Sequence, residues 1–279
     1  FFVRHTCDGL TGDLDMTGSA KIDVSQCGYA GGKGPGYSGG YCNGSSFGGT
    51  GGDYGNDGGS AMPYGSSVSE PTELGSGGYE NGGGAIHLTV GGSLRMEAET
   101  AISSRGGGRA SGGSIFVKAS SLEGSGTISA NGGDGSGGGY GGGGGGRVAV
   151  ILTGATSFDA FTGTIAAYGQ QSYSNEGRKT DASGAAGTVF KQTAASGDNG
   201  TLIVDNNNIA TRRNWWDTLL PAGVDLAEFS RVIITNKGIL AVNGDNPLDL
   251  ANATIIGSGL DNAALHILAD DLITYPATW

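Results

Sequence analysis

Gly141-Gly142-Gly143-Gly144-Gly145-Gly146-Arg147-Val148-Ala149-Val150-Ile151-Leu152 joins six consecutive glycines to an apolar run of strand length. A glycine tract alone reads as a spacer, but one that delivers the chain straight into a β-branched segment reads as a loop hung on a β scaffold. The coupling recurs: Gly82-Gly83-Gly84 precedes Ala85-Ile86-His87-Leu88-Thr89-Val90, Gly112-Gly113 precedes Ser114-Ile115-Phe116-Val117-Lys118-Ala119, and Gly187 precedes Thr188-Val189-Phe190-Lys191. The equivalent residues Ile86, Ile115, Val148 and Val189 lie 29, 33 and 41 positions apart, so the period drifts only through the glycine-rich insertions.

A second strand follows each first one, in Thr100-Ala101-Ile102-Ser103, Gly126-Thr127-Ile128-Ser129 and Gly163-Thr164-Ile165-Ala166, with Leu94, Leu122 or Phe158 in between. Such short strands are marginal alone, and stacking each repeat on the next as parallel strands pairs their backbones and lines up one apolar column. The expected fold is therefore all-β, a right-handed parallel β-helix (β-solenoid) with long glycine-rich loop insertions. Alternation puts Ile86, Leu88, Val90, Ile115 and Val117 inside and His87 and Phe116 outside, Phe116 under a covering glycine loop.

Two zones are expected. Of 59 glycines, 46 fall in residues 1–150 and 5 after residue 200. Residues 1–205 form the glycine-rich β-helix with long loops, the main insertion spanning 25–84, and residues 206–279 form a compact continuation with few insertions. In that continuation Pro221 through Phe229 reads as one short helical turn. A loop as long as 25–84 either has structure of its own or is mobile. Glycine-rich chain can take up extended polyproline-II strands that pack closely because no Cβ stands between them.

With 26 acidic and 15 basic residues the net charge is −11, which offers no basic stripe for nucleic acid and no attraction to an anionic membrane. No apolar stretch approaches the ~20 residues of a membrane span. The chain begins Phe1-Phe2-Val3 without methionine, as a processed product or a piece of something longer would. Cys7, Cys27 and Cys42 are one too many for a single disulfide, with three pairings open, and their confinement to one end fits a secreted setting.

The run from Gly65 to Gly78, followed by Gly83-Gly84-Ala85-Ile86-His87-Leu88, resembles glycine-rich repeat regions of very large secreted or surface proteins of bacteria and protists. Gly126-Thr127-Ile128-Ser129-Ala130-Asn131-Gly132-Gly133 and Gly144-Gly145-Gly146-Arg147-Val148-Ala149-Val150 resemble them too. The resemblance covers roughly residues 15–205. It implies a parallel β-helix, extracellular or cell-surface placement and an adhesive or structural role, as in autotransporter passengers, and supplies no catalytic residues.

Catalytic signals are missing. A β-helical glycosidase needs paired carboxylates across a cleft, yet Asp270-Asp271 stands without the Gly-His-Gly and Arg-Ile-Lys elements of galacturonases, and no Gly-x-Ser-x-Gly elbow joins a strand to a helix. The histidines His87 and His266 alternate with apolar strand residues and read as surface positions. Residues 51–58 and 132–135 faintly resemble calcium-binding turns, so calcium is the one candidate cofactor, but the period is not sustained. No enzyme is expected.

What the sequence offers instead is surface. Trp215, Trp216 and Tyr140, with further tyrosines in the glycine loops, are candidates for stacking on sugars or for capping the scaffold. Asn43, Asn199 and Asn252 head glycosylation sequons. The aromatic termini, Phe1, Phe2 and Val3 at one end and Tyr275 and Trp279 at the other, are candidate subunit joints. The expected function is a structural subunit of an extracellular filament, a homopolymer assembled head to tail. A glycan-binding adhesin is the alternative, ice binding less so, and a polysaccharide lyase or hydrolase ranks third.

Overall fold

The computed structural model describes residues 4–40, 42–54, 61–135, 140–173, 179–180, 182–211, 217–242, 254–257 and 264–267. It is all-β with parallel sheets. The chain passes through three sheets in a fixed order: β1 (Arg4–Leu10), β2 (Leu14–Met16) and β3 (Lys21–Asp23), then β4 (Ala85–Val90), β5 (Ser93–Met96) and β6 (Ala101–Ser103). A third pass gives β7 (Ser114–Ala119), β8 (Ser121–Gly124) and β9 (Thr127–Ser129), and a fourth gives β10 (Arg147–Leu152) and β11 (Thr164–Ala166). Equivalent strands of successive passes pair in parallel register, Ile86 with Ile115 and Ile115 with Val148. Ile22, Ile102, Ile128 and Ile165 stack in the third sheet in the same way.

The inward positions are those the alternation predicts. Ile86, Leu88, Val90, Ile115, Val117, Val148 and Val150 are buried with Leu94, Leu122, Ile102 and Ile128 in one cluster. Phe116 faces the other way and is still only 4% exposed. It lies under Val68 of the long insertion, with the half-buried His87 ring 4.5 Å from its own.

After a two-stranded hairpin of β12 (Ser172–Tyr173) and β13 (Lys179–Thr180), β14 (Thr188–Gln192) rejoins the first sheet beside β10. A turn of 3₁₀ helix at Ala194–Ser196 then sends the chain back, and β15 (Thr201–Asp205) pairs with β14 in antiparallel fashion. The remaining strands, β16 (Thr218–Leu219), β17 (Arg231–Thr235), β18 (Ile239–Val242), β19 (Thr254–Gly257) and β20 (Ala264–Ile267), follow the new direction. β15, β17 and β19 complete an eight-stranded sheet while β16, β18 and β20 form another.

This reversal also changes which face is buried. Pairing sets Leu202 opposite Phe190 and Ile203 opposite Val189, and cross-strand partners share a face. Leu202 and Val204 are wholly buried, so their side packs with Phe190, Phe229, Val232, Ile234 and Leu240 in a second cluster. One continuous sheet thus carries two cores on opposite faces, and residues 206–242 continue the sheet but not the direction of the winding. The predicted helical turn is present at Leu226–Glu228, capped by the Asp225 carboxylate, which accepts from the Ala227 amide.

The glycine tracts are not spacers. Along 141–146 the amides of Gly141 and Gly144 donate to the carbonyls of Cys42 and Ser45. Those of Gly142 and Gly145 donate to Ala182 and Ala185, and those of Gly143 and Gly146 to Gly133 and Ala130. The carbonyls in turn accept from three further segments: Gly142 and Gly145 from Gly52 and Gly49, Gly143 from Gln170, and Gly144 from Gly112.

Partners that recur every third residue belong to a polyproline-II helix, whereas a strand repeats every second. Such a helix has no internal hydrogen bonds, so each of its buried amides must find an acceptor on a neighbour. Here the tract has six neighbouring segments, and all six of its glycines are buried. The approach is possible only without side chains: a Cβ on Gly142 would collide with the carbonyl oxygen of Gln170. The insertion at 25–84 contributes residues 28–32, 42–53 and 75–84 to this bundle, which accounts for its length without a strand of its own.

Candidate functional site

Two excursions of the bundle reverse side by side, at residues 79–81 and 107–110, next to Asp134. The reversals hold one another through main-chain bonds: the Tyr79 and Glu80 amides donate to the Gly108 carbonyl, the Gly107 amide to Asn81, and the Arg109 amide to Asp134. Arg109 itself adopts φ 61°, a left-handed conformation that costs a side-chain-bearing residue roughly 1 kcal/mol. Its guanidinium lies 4.8 Å from the ring centre of Tyr79 and 4.3 Å from that of Tyr140. The residue is 6% exposed, and a cation between two ring faces gains about 1–2 kcal/mol where water is excluded.

Tyr54 extends the row, its ring 6.5 Å from that of Tyr140. Beside the stack opens a cleft of about 670 Å³ bounded by Gln26, Tyr79, Glu80, Arg105, Arg109 and Asp134. Arg105 and Asp134 form an ion pair of 2.8 Å across it, and the Glu80 carboxylate accepts from the Gly108 amide. Tyr79 is 67% exposed and Tyr54 41%, so this face offers solvent open aromatic rings beside fixed charges. Flat rings with hydrogen-bonding groups around them suit a ligand having both apolar and hydroxylated faces.

Of the candidates from sequence, Tyr140 belongs to this site, as do Tyr54 and Tyr79 among the further tyrosines of the glycine loops. Phe1, Phe2, Val3, Trp215, Trp216, Asn252, Tyr275 and Trp279 lie outside the described residues, as do Asp270, Asp271 and the side chains of Cys7 and His266. The disulfide expectation is corrected for two cysteines: Cys27 and Cys42 both carry free thiols. Cys27 turns toward the first core while Cys42 sits in the bundle against Gly141, so the intervening excursion keeps them in different environments. Asn43 is corrected as a glycosylation site, being 3% exposed with its side-chain oxygen accepting from the Tyr54 amide. Asn199 is exposed in the turn before β15.

Sequence reasoning passed over Arg105 and Arg109. The available signal was a pair of arginines flanking Gly106-Gly107-Gly108, where composition alone gives no reason for charge. It also gave no sign that three ionisable groups are wholly or largely withdrawn from water. Arg147 is wholly buried and pulled down to about 10 by the loss of water, although Glu73 and Tyr64 favour its charged form. Tyr64 is raised by burial and donates to the Leu74 carbonyl. Asp217, 2% exposed, is pushed up to about 7 by burial against a hydrogen bond with Thr211, and its Oδ2 has no partner.

Among the described residues no three His, Cys, Asp or Glu side chains converge as metal ligands, and no helix is long and apolar enough to cross a membrane. Asp134 of the calcium-like turn is committed to Arg105. Comparison with protein-family models, curated proteins and solved structures finds no match to this chain.

Proposed function

We propose that this chain is a non-enzymatic, extracellular surface protein that binds glycans, a right-handed parallel β-helix carrying a glycine bundle as its rigid binding head. The observation that carries the reading is the Tyr79–Arg109–Tyr140 stack beside the open cleft. A sugar ring laid on the exposed Tyr79 would cover its apolar face on the ring. Its hydroxyls would then meet Glu80, Arg105 and Asp134. The packed bundle keeps these groups in place before binding, so little ordering entropy opposes association.

Retention of the purified chain on a panel of immobilised polysaccharides tests this. Tyr79→Ala is expected to weaken binding on the order of tenfold or more, while replacement of the exposed Met62 elsewhere leaves it unchanged. Failure of the unaltered chain to bind any member of the panel rejects the reading.

A second reading, a filament subunit that assembles with copies of itself, is favoured by β19. It is one of the two outermost described strands of the eight-stranded sheet, and Ile255 and Ile256 on it are 36% and 38% exposed. Exposed apolar edges template further pairing. Electron microscopy at rising protein concentration is expected to show filaments that Ile255→Lys shortens or abolishes; monomers throughout dismiss this assembly.

A further inference from the structure

Asparagine precedes glycine at Asn43-Gly44, Asn81-Gly82, Asn131-Gly132, Asn199-Gly200 and Asn243-Gly244, the last outside the described residues. Such a pair can react with itself, because the glycine nitrogen can attack the asparagine side-chain carbon. With no Cβ beside it, that nitrogen is open to the approach and its φ is free to adapt. The attack requires a side-chain amide that can swing onto the main chain and a glycine N–H that is not already held.

Three of the described pairs are tied at both ends. Asn43 Oδ1 accepts from the Tyr54 amide, and the Gly44 amide donates to Gly52 at 2.8 Å. Asn81 Oδ1 accepts from the Gly31 amide while its Nδ2 donates to the Gln26 carbonyl, and the Gly82 amide donates to Tyr29 at 2.9 Å. Asn131 Oδ1 accepts from the Tyr168 amide at 2.8 Å, and the Gly132 amide returns a bond of 2.9 Å to the Tyr168 carbonyl.

Asn199 differs in every respect. It is exposed in the turn before β15, and among the described residues none is hydrogen-bonded to its side-chain amide. Gly200 is buried and its carbonyl accepts from the amide and the hydroxyl of Ser230, yet no described residue accepts from its N–H. A buried N–H without an acceptor is unfavourable, and the attack consumes it.

We propose that Asn199 is a self-modification site, converting to aspartate and isoaspartate through a cyclic imide with Gly200. The Gly200 nitrogen bonds to Asn199 Cγ, the Cγ–Nδ2 bond breaks, and Nδ2 leaves as ammonia with the proton given up by the Gly200 amide. Water then opens the imide at either carbonyl, with no change of oxidation state. Either product sets a new carboxylate beside Asp198, at the cleft of about 510 Å³ that also contains Phe190 and Phe229. Both also erase the glycosylation sequon, since the nitrogen that a glycan would occupy is gone. The isoaspartyl form adds a main-chain carbon immediately before Thr201, where β15 begins its pairing with β14.

The test ages the unaltered full chain in mildly alkaline buffer and follows each Asn-Gly peptide by mass spectrometry, with aspartyl and isoaspartyl forms separated by chromatography. Asn199 is expected to convert on the order of tenfold or more faster than Asn43, Asn81 or Asn131, whose reaction must first break buried or partly buried hydrogen bonds. In concentrated urea the four are expected to convert alike, because the fold no longer distinguishes them. Three results overturn the proposal: Asn199 no faster than the other three in the folded chain, the same ranking retained in urea, or aspartate formed without any isoaspartate. None of them touches the Tyr79 cleft, so polysaccharide retention is judged separately.

Discussion

Gly142→Ala is expected to destabilise the chain by more than about 3 kcal/mol, lowering its melting temperature on the order of 10 °C, whereas Gly12→Ala leaves it unchanged. The two substitutions have the same chemistry in different surroundings. At Gly12 an added Cβ meets nothing within 4 Å. At Gly142 it overlaps the Gln170 carbonyl oxygen and comes within 3.1 Å of the Gly184 nitrogen. Both obstacles are main chain, so no rotamer change relieves them.

Moving the neighbour aside also breaks bonds, since Gln170 donates its amide to the Gly143 carbonyl and accepts from the Gly184 amide. Each buried group left without a partner costs about 1–3 kcal/mol, a large share of a net stability of roughly 5–15 kcal/mol. Thermal unfolding of both variants decides the matter. Equal melting temperatures would mean that the tract yields as a loose loop does.

Asp217→Asn is expected to raise stability at pH 8 and to remove a pH dependence that the unaltered chain shows between about pH 4 and 7. The carboxyl sits where the segment before β16 crosses the bundle, its backbone oxygen accepting from the Thr50 amide at 2.7 Å. In the folded chain it titrates near 7, against 3.8 for an ordinary aspartate. The folded form therefore binds the proton more tightly than the unfolded form. Stability is greatest below the unfolded value and falls as pH rises to the folded one, by on the order of 4 kcal/mol in total.

An asparagine is neutral throughout and escapes this loss. Melting temperatures measured from pH 4 to 8 should diverge, with the variant higher at the alkaline end by roughly 2–4 °C per kcal/mol. Parallel curves would show that Asp217 ionises as freely in the fold as outside it. The comparison is internal, so the histidines, common to both chains, cancel.

The parallel sheets were legible because their signal is local. Ile86, Ile115 and Val148 announce themselves by alternation, and the register that pairs them follows from the buried face. The reversal between β14 and β15 was not legible, since Leu202 and Val204 alternate in the same way whichever face they serve. Only their antiparallel pairing with Phe190 decides it. The bundle could be anticipated as a conformation but not as a packing, because glycine carries no side chain to say which of six neighbours it will meet.

The candidate site was legible through its tyrosines, Tyr54, Tyr79 and Tyr140 of the glycine loops, and not through its arginines. Arg109 acts through two rings that lie 30 and 31 positions away in the chain, and no periodicity links them. Nothing in the sequence around Arg147 and Asp217 marks them as buried. Their burial depends on the long insertion folding over the sheet, which is a tertiary event.

The bundle also changes how the chain responds to temperature. Opening a hydrocarbon core exposes apolar surface and raises the heat capacity, while exposing amides lowers it. Glycine helices held by main-chain bonds contribute chiefly the second term. The heat-capacity increment per residue therefore falls below the ~12–15 cal/mol/K of an ordinary domain, and the stability curve flattens. Calorimetry of the chain is expected to show this smaller increment.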